Sequence, residues 1–150
     1  MTARMDYDAA SPAGMQALAG VYAHVLRSGL PKELVGLVFL RTSQINGCAF
    51  CIDMHSRDLL KAGVAIEKLV LVPAWREAGA LFDGTERAAL AWAETVTRVA
   101  ETGVPDAEYE AAAAVFAPGQ LADLTIAIGL INAYNRMAIS FRKVPAAALQ

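Results

Sequence analysis

The chain contains two cysteines and two histidines. Cys48, Cys51 and His55 fall together in the stretch Asn46-Gly47-Cys48-Ala49-Phe50-Cys51-Ile52-Asp53-Met54-His55. A thiol that loses its proton is a nucleophile, a redox centre or a metal ligand. An imidazole can carry that proton near neutral pH. The spacing is helical: Cys48 and Cys51 stand as i and i+3, Cys51 and His55 as i and i+4. On a helix all three share one face. Asn46 is read as the N-cap and Gly47 as the bend beside it, so the helix begins near Gly47. Both sulfurs then sit in or near the first turn, where unpaired N–H groups and the positive end of the helix dipole favour a thiolate. Cys51 is expected to titrate below the free-thiol value of about 8.5.

These three groups suffice for a thiol–disulfide cycle. A thiolate attacks a peroxide oxygen and becomes a sulfenic acid, and the neighbouring thiol converts that to a disulfide. His55 accepts the thiol proton or delivers one to the leaving oxygen. A second dithiol restores the pair by exchange. Two other readings use the same residues. A C-x-x-C pair is also half of a zinc site, which His55, His24 and a carboxylate would have to complete. The pair could also be inert, in an oligomeric scaffold or a non-catalytic redox sensor.

The elements that must hold these groups read as helices. Ser11-Pro12 is an N-cap followed by Pro at N1, opening a helix to about Ser28. Pro31 opens a second, with Leu34, Leu37, Val38 and Arg41 on successive turns. Ser43 to Asn46 reads as a polar hinge. The cysteine helix runs to Ala62, with Gly63 as its stop. Ile66 to Val72 is a short turn closed by Pro73, and Trp75 to Gly79 a connector. Asp83 and Glu86 have capping-box spacing before a helix from Arg87 to Glu101. That helix is expected to turn Ala88, Ala91, Trp92, Thr95, Val96 and Val99 inward. Gly103 to Asp106 breaks the chain ahead of a helix from Ala107 to Phe116. Pro118-Gly119 breaks it again before a long helix, Gln120 to Arg142, apolar nearly all round and therefore buried on several sides. Residues 143–150 are expected to be loosely held. Trp75 and Trp92 read as core or interface anchors, and His24 as a packed or surface histidine. Asn132, Asn135 and Arg136 need partners if buried and read as ties between helices. Arg136 or Asn132 lining the thiol pocket is the lesser alternative.

The whole chain, residues 1–150, is then one all-α domain of five or six helices. Its length suits one core. The hydrophobic fraction is 56% and the charged fraction 19%, more apolar than an average soluble domain. The most apolar window, Leu121 to Ile139, contains Asp123, Asn132, Asn135 and Arg136, which argues against a membrane span. The excess apolar surface points instead to burial between subunits. A net charge of −2 and no basic stripe argue against nucleic acid. Residues 1–10 lack the pattern of a secretion signal. Closely spaced cysteines in a chain expected to be cytoplasmic point to redox or metal chemistry rather than a structural staple.

Several segments together resemble the alkylhydroperoxidase AhpD-like group of the carboxymuconolactone decarboxylase superfamily. They are Leu40-Arg41-Thr42-Ser43-Gln44-Ile45 running into the Asn46–His55 motif, Trp75-Arg76-Glu77, Glu86-Arg87-Ala88-Ala89-Leu90-Ala91-Trp92, and Ile131-Asn132-Ala133-Tyr134-Asn135-Arg136. The resemblance implies an all-α helical bundle that assembles into trimers or hexamers and needs no bound cofactor. It implies thiol peroxidase or disulfide reductase activity, with Cys51 meeting the peroxide, Cys48 resolving it and His55 in a proton relay. The reductant it implies is a dithiol, in known members a lipoyl-bearing protein. Spacing alone leaves open which cysteine attacks, since thioredoxin-type logic would choose Cys48. The family's peroxidases also use a relay glutamate about three turns before the motif. In register that position is Gly36, which cannot accept a proton. Glu33, one turn earlier, or Asp58, one turn after His55, could supply the carboxylate. Decarboxylation of a carboxymuconolactone-like substrate is a weaker implication, because those members lack the cysteine pair as their hallmark.

Overall fold

In the computed structural model, residues 2–149 are described, and no strand occurs among them. The α-helices, in order, are α1 (Tyr7–Ala10), α2 (Pro12–Arg27), α3 (Lys32–Asn46), α4 (Ala49–Lys61), α5 (Ile66–Leu71), α6 (Gly84–Thr97), α7 (Val99–Thr102), α8 (Asp106–Ala113) and α9 (Pro118–Phe141). Six of these, α2, α3, α4, α6, α8 and α9, have eight or more residues, and α1, α5 and α7 are one or two turns each. Single turns leave little periodicity in a sequence, which is why five or six helices are legible there. The stretches 72–77 and 79–81, and Ala146–Leu149, are 3₁₀ turns.

α3 is the hub, packed against α4, α6 and α9. Its Leu34, Val35, Val38 and Phe39 face α6 and α9, joining Trp92, Ala93, Leu124, Ile128 and Ile131 in the larger core. Leu37 and Leu40 face the other way, onto Leu59, Val72, Trp75, Phe82 and Leu90. A helix that feeds two cores has little polar surface to spare, and eight of its fifteen residues are buried. Gly36 permits the closest approach to α4: a Cβ there would lie 2.7 Å from Leu59 Cδ2.

The capping box that opens α6 forms as its spacing predicts. Asp83 Oδ1 accepts from the Glu86 N–H at 2.9 Å, and Glu86 Oε2 accepts from the Asp83 N–H at 2.9 Å. The inward face of α6 is rotated from the expected one. Ala89, Leu90, Trp92, Ala93, Glu94 and Thr95 are buried, Ala88, Ala91 and Val96 partly so, and Val99 is exposed. The helix ends at Arg98 (φ −98°, ψ 32°), so Val99 leaves the stripe it would have continued.

Two joints also differ from expectation. Ser43 to Asn46 is no hinge but the last turn of α3. Gly47 lies at φ 70°, its N–H donates to Gln44 O at 3.2 Å, and the Cys48 N–H donates to Ser43 O at 2.9 Å. This paired pattern is a Schellman stop, which needs a left-handed residue and so a glycine. The tail is docked rather than loose. Lys143 Nζ pairs with Asp8 Oδ2 at 2.7 Å, and the Ala147 N–H donates to Asp53 Oδ2 at 3.1 Å; Gln150 lies outside the described residues. At the other end, Arg4 donates from its backbone to Phe141 O and from Nη1 to Ser140 O. No single helix among the described residues is long and apolar enough to cross a membrane.

Candidate active site

Because α3 stops at Gly47, Asn46 cannot cap the next helix. Cys48 does so instead: its Sγ accepts the Cys51 N–H at 3.4 Å, and α4 begins at Ala49. One residue thus closes one helix with its backbone and opens the next with its sulfur. Cys51 falls in the first turn of α4, as the spacing requires. Both thiols are free and buried, packed against Ala138 of α9 and beside Phe50.

The electrostatics reverse the expectation for Cys51. Cys48 is the acidified thiol, pulled down to about 7. Its hydrogen bond with Cys51 is the largest cause; burial opposes it, and the Cys51 and Phe50 N–H groups and the Asn135 side chain reinforce it. Cys51 is pushed up, because its proton is the one that stabilises the Cys48 anion and because it is buried. Above about pH 7 the pair then holds one proton between two sulfurs. Helix-start donors act on the capping atom, and that atom is Cys48 Sγ rather than Cys51 Sγ.

Access falls to the other cysteine. A cavity of about 300 Å³ reaches Cys51 and His55 but not Cys48. Its walls are mostly apolar and carry five of the chain's eleven aromatic residues, Tyr7, Tyr22, Phe39, Phe50 and Tyr134. Asp8 and Lys143 line it as well, Lys143 lying 4.9 Å from the Phe50 ring and 4.8 Å from that of Tyr7. His55 is 8% exposed and its ring lies 5.2 Å from that of Phe39, tilted by 58°. Its Nε2 is buried without a hydrogen-bond partner. Burial pushes the imidazole down to about 4, and the Asp58 charge opposes this only in part, so at pH 7 the ring is neutral.

The candidate carboxylates do not bond to that ring. Asp58 lines the same cavity, is exposed, and lies 3.9 Å from Lys61. Glu33 is exposed and borders a second, smaller cavity of about 190 Å³ on which Gly36, His55 and Asp58 also open. At Gly36 itself Leu59 occupies the space a side chain would need. His24 is far from the thiols in role: its Nε2 pairs with Asp123 Oδ1 at 2.7 Å between α2 and α9. No cluster of three or more His, Cys, Asp or Glu residues suited to a metal ion occurs among the described residues, so the zinc reading lacks its further ligands.

Residues 12–95, more than half of the chain, match the carboxymuconolactone decarboxylase family. The chain belongs to that family. Two curated relatives are similar over most of it. The uncharacterised protein YdfG of Bacillus subtilis is 33% identical over 93% of this chain and 95% of its own. The uncharacterised protein YnjA of Escherichia coli is 36% identical over 82% of this chain and 66% of its own. Among solved structures, a protein of unknown function from Agrobacterium tumefaciens, suggested to be the antioxidant defence protein AhpD, superposes with a TM-score of 0.92. It is 39% identical and covers 96% of this chain and 98% of its own. A peroxidase-related protein with an AhpD core from Ralstonia eutropha superposes at 0.81 with 22% identity, over 95% and 75% of the two chains, which shows the shared fold. The AhpD-like resemblance read from the motifs therefore stands.

Within this family framework the asparagines of α9 bind helices together, as expected, but they do more than tie. Asn46 Nδ2 donates to Asn132 Oδ1 at 2.9 Å and to Asn135 Oδ1 at 2.8 Å, and Asn135 Nδ2 donates to Ser43 Oγ at 3.0 Å. Arg136 turns back onto Asn132, and neither residue lines the thiol cavity. The residue of this group that acts on the sulfurs is Asn135, whose side chain draws both thiols down. The sequence signal was present as three amides sharing a network across α3 and α9, yet nothing in their spacing ranks one above the others. A second buried group was also missed. Glu94 of α6 accepts from Arg41 Nε at 2.7 Å, from Trp75 Nε1 at 3.0 Å, and from Arg76.

Proposed function

We propose that the protein is a thiol-dependent peroxidase for organic hydroperoxides, cycling Cys48 and Cys51 between dithiol and disulfide. The observation that carries this reading is the division between the sulfurs: Cys51 opens on an aromatic-walled cavity, while Cys48 lies behind it and holds the shared negative charge. In the cycle, the hydroperoxide enters over Cys51. The Cys51 proton passes to neutral His55 or to Cys48, leaving a thiolate on Cys51. That sulfur attacks the outer peroxide oxygen, the O–O bond breaks, and the alkoxide takes a proton to leave as alcohol. Cys48 thiolate then attacks the Cys51 sulfenic acid, forms the S–S bond and releases water after protonation. A dithiol reductant, in this proposal a lipoyl-bearing protein, attacks the disulfide, takes it over and returns two thiols. His55 suits the proton transfers because burial keeps it neutral and its Nε2 has no competing partner.

A cavity of this size and lining favours a substrate with an apolar or aromatic body over hydrogen peroxide. The cycle needs no metal or organic cofactor and belongs in a reducing compartment such as the cytoplasm. Assembly into a homotrimer or hexamer is part of the proposal, supported by exposed Ile66, Val70 and Leu71 around α5 and by Tyr109 and Ile126. The second reading, a disulfide oxidoreductase with Cys48 as nucleophile, is favoured by the lowered Cys48 thiol.

Intact mass after treatment with cumene hydroperoxide separates these. The native chain is expected to lose two hydrogens, and Cys48→Ser to gain about 16 Da as the Cys51 sulfenic acid. An unchanged native mass would remove the peroxidase reading. Oxidation trapped instead on Cys48 in Cys51→Ser, with none on Cys51 in Cys48→Ser, would transfer the nucleophile to Cys48.

A further inference from the structure

We propose that Lys143 is the anion-binding group of the cavity over Cys51, and that the hydroperoxide taken there carries a carboxylate at the end remote from its O–O bond. The inference rests on the peroxidase reading above and names a substrate class for it. Among the described residues, the charged groups lining this cavity are Asp8, Asp58 and Lys143, His55 being neutral. Exposure gives the cavity a direction. Cys51 is 2% exposed and lies at the floor, while the Lys143 side chain is 34% exposed and marks the mouth. The walls are mostly apolar. A molecule that fills such a space has a reactive end at the sulfur, an apolar body, and a polar end at the mouth.

The sign of that polar end follows from what holds each charged group in place. Lys143 is fixed by its backbone. Its N–H donates to Ala138 O at 2.9 Å, across the left-handed Arg142 (φ 55°) that ends α9, and Ala138 packs with both cysteines. Its ammonium is flanked by two cavity walls, 4.8 Å from the Tyr7 ring centre and 4.9 Å from that of Phe50. Asp8, its partner at 2.7 Å, is held far less firmly. That carboxylate is 49% exposed and stands on α1, which is a single turn. An ion pair so open to water contributes little, and releasing Asp8 to solvent leaves Lys143 where it was. A ligand carboxylate whose apolar body fills the cavity can therefore take the place of Asp8 at Nζ.

A cationic ligand meets the opposite case. The rings that would receive it already flank the Lys143 ammonium, and Lys143 is pinned where it would have to give way. Asp58, 63% exposed and 3.9 Å from Lys61, is too solvated to hold a cation firmly.

Calorimetric titration of the reduced protein with 4-isopropylbenzoate tests this. The comparison ligands are 4-isopropylbenzamide, with the same body and no charge, and 4-isopropylbenzylammonium, with the opposite charge. None of them is a peroxide, so the outcome does not depend on turnover. The acid is expected to bind about tenfold more tightly than the amide. Lys143→Met should remove that preference and Lys143→Arg should keep it. Asp8→Asn should tighten the acid alone, because it removes the competing carboxylate; a loss shared by all the ligands would mean that the Lys143–Asp8 pair only fastens the tail, and would overturn the proposal. Bound acid should also slow alkylation of Cys51 by iodoacetamide, and binding that leaves Cys51 unprotected would place the anion elsewhere. If Lys143→Met does not fold, the native protein decides. Equal binding of acid and amide, a preference for the ammonium ligand, or no binding of any of them would each reject Lys143 as an anion site. Failure to form a disulfide with cumene hydroperoxide would count against the peroxidase reading alone, and equal binding of acid and amide against Lys143 alone.

Discussion

Two buried polar sites lie on either side of α3, and they are built to opposite rules. Around Glu94 both carboxylate oxygens are answered. Arg41, Arg76 and Trp75 all donate to its two oxygens, Arg76 also stacks 4.2 Å from the Trp75 ring, and Arg87 ties the Trp75, Arg76 and Gly79 carbonyls together. Burial works against the carboxylate's charge, but the bonds from Arg76, Trp75 and Arg41 prevail and hold it below the usual range. Around Cys51 the bonds are deliberately incomplete. Two sulfurs share one proton, and His55 Nε2 has no partner at all. A saturated network has nothing left to bind and can only stabilise. Unsatisfied groups beside a cavity cost stability and leave valences for a substrate. The difference sets a saturated structural site apart from the one proposed to react.

The sharpest way to break this contrast is to remove Glu94. Glu94→Ala leaves the Arg41 guanidinium, 13% exposed, without its counter-charge, and the expected loss is about 3–5 kcal/mol. Urea denaturation measures it, and a loss below about 1 kcal/mol would place Glu94 among ordinary surface ion pairs. The thiol midpoint should be unaffected, because no residue of this network touches the sulfurs.

The next effect comes from His55 and sharpens the contrast in pH. Its folded-state pKa lies below the unfolded value near 6.5. The unfolded chain therefore binds a proton that the folded one refuses, and stability falls as pH drops from about 6.5 towards 4. The contribution is on the order of 3 kcal/mol. Glu94, also depressed, contributes above its unfolded value of about 4.3 and is lost only below that. The reactive site should thus begin to fail at higher pH than the structural one. Chemical denaturation across pH 4–7 should show a slope that His55→Phe abolishes. An identical slope in the variant would mean that His55 is not held neutral.

The smallest effect concerns the joint between the two sites. Gly36→Ala forces a Cβ against Leu59, at an expected cost of about 1–3 kcal/mol. The double variant Gly36→Ala, Leu59→Ala should lose less stability than the two single variants together. Strict additivity would show that α3 and α4 do not meet there as described.

Much of the helical frame was legible because local rules act over a few residues. Ser11-Pro12, the Asp83–Glu86 box, Gly63 and Pro118 each marked a helix end near where one lies. Misreadings arose where two local rules competed. Asn46 is a good N-cap and Gly47 a good stop, and the glycine won because the Schellman bonds need its left-handed backbone, which left the capping role to a sulfur. The tail carried no apolar periodicity, so its docking through Lys143 and the Ala147 N–H onto the distant acids Asp8 and Asp53 could not be read from its own residues. The face of α6 was misplaced by a fraction of a turn, because Ala88, Ala89, Ala91 and Ala93 are small enough to face either way and blur its stripe.

The order of the residues alone established a helical chain and put Cys51 and His55 one turn apart on one helix face, since helix geometry is fixed by the backbone and needs no partner. Which sulfur is acidic, which is reachable, and which asparagine serves them depended on α3, α4 and α9 being brought side by side. Acidity, access and hydrogen bonding are set by neighbours across space, and those neighbours exist only once the cores on both faces of α3 have closed.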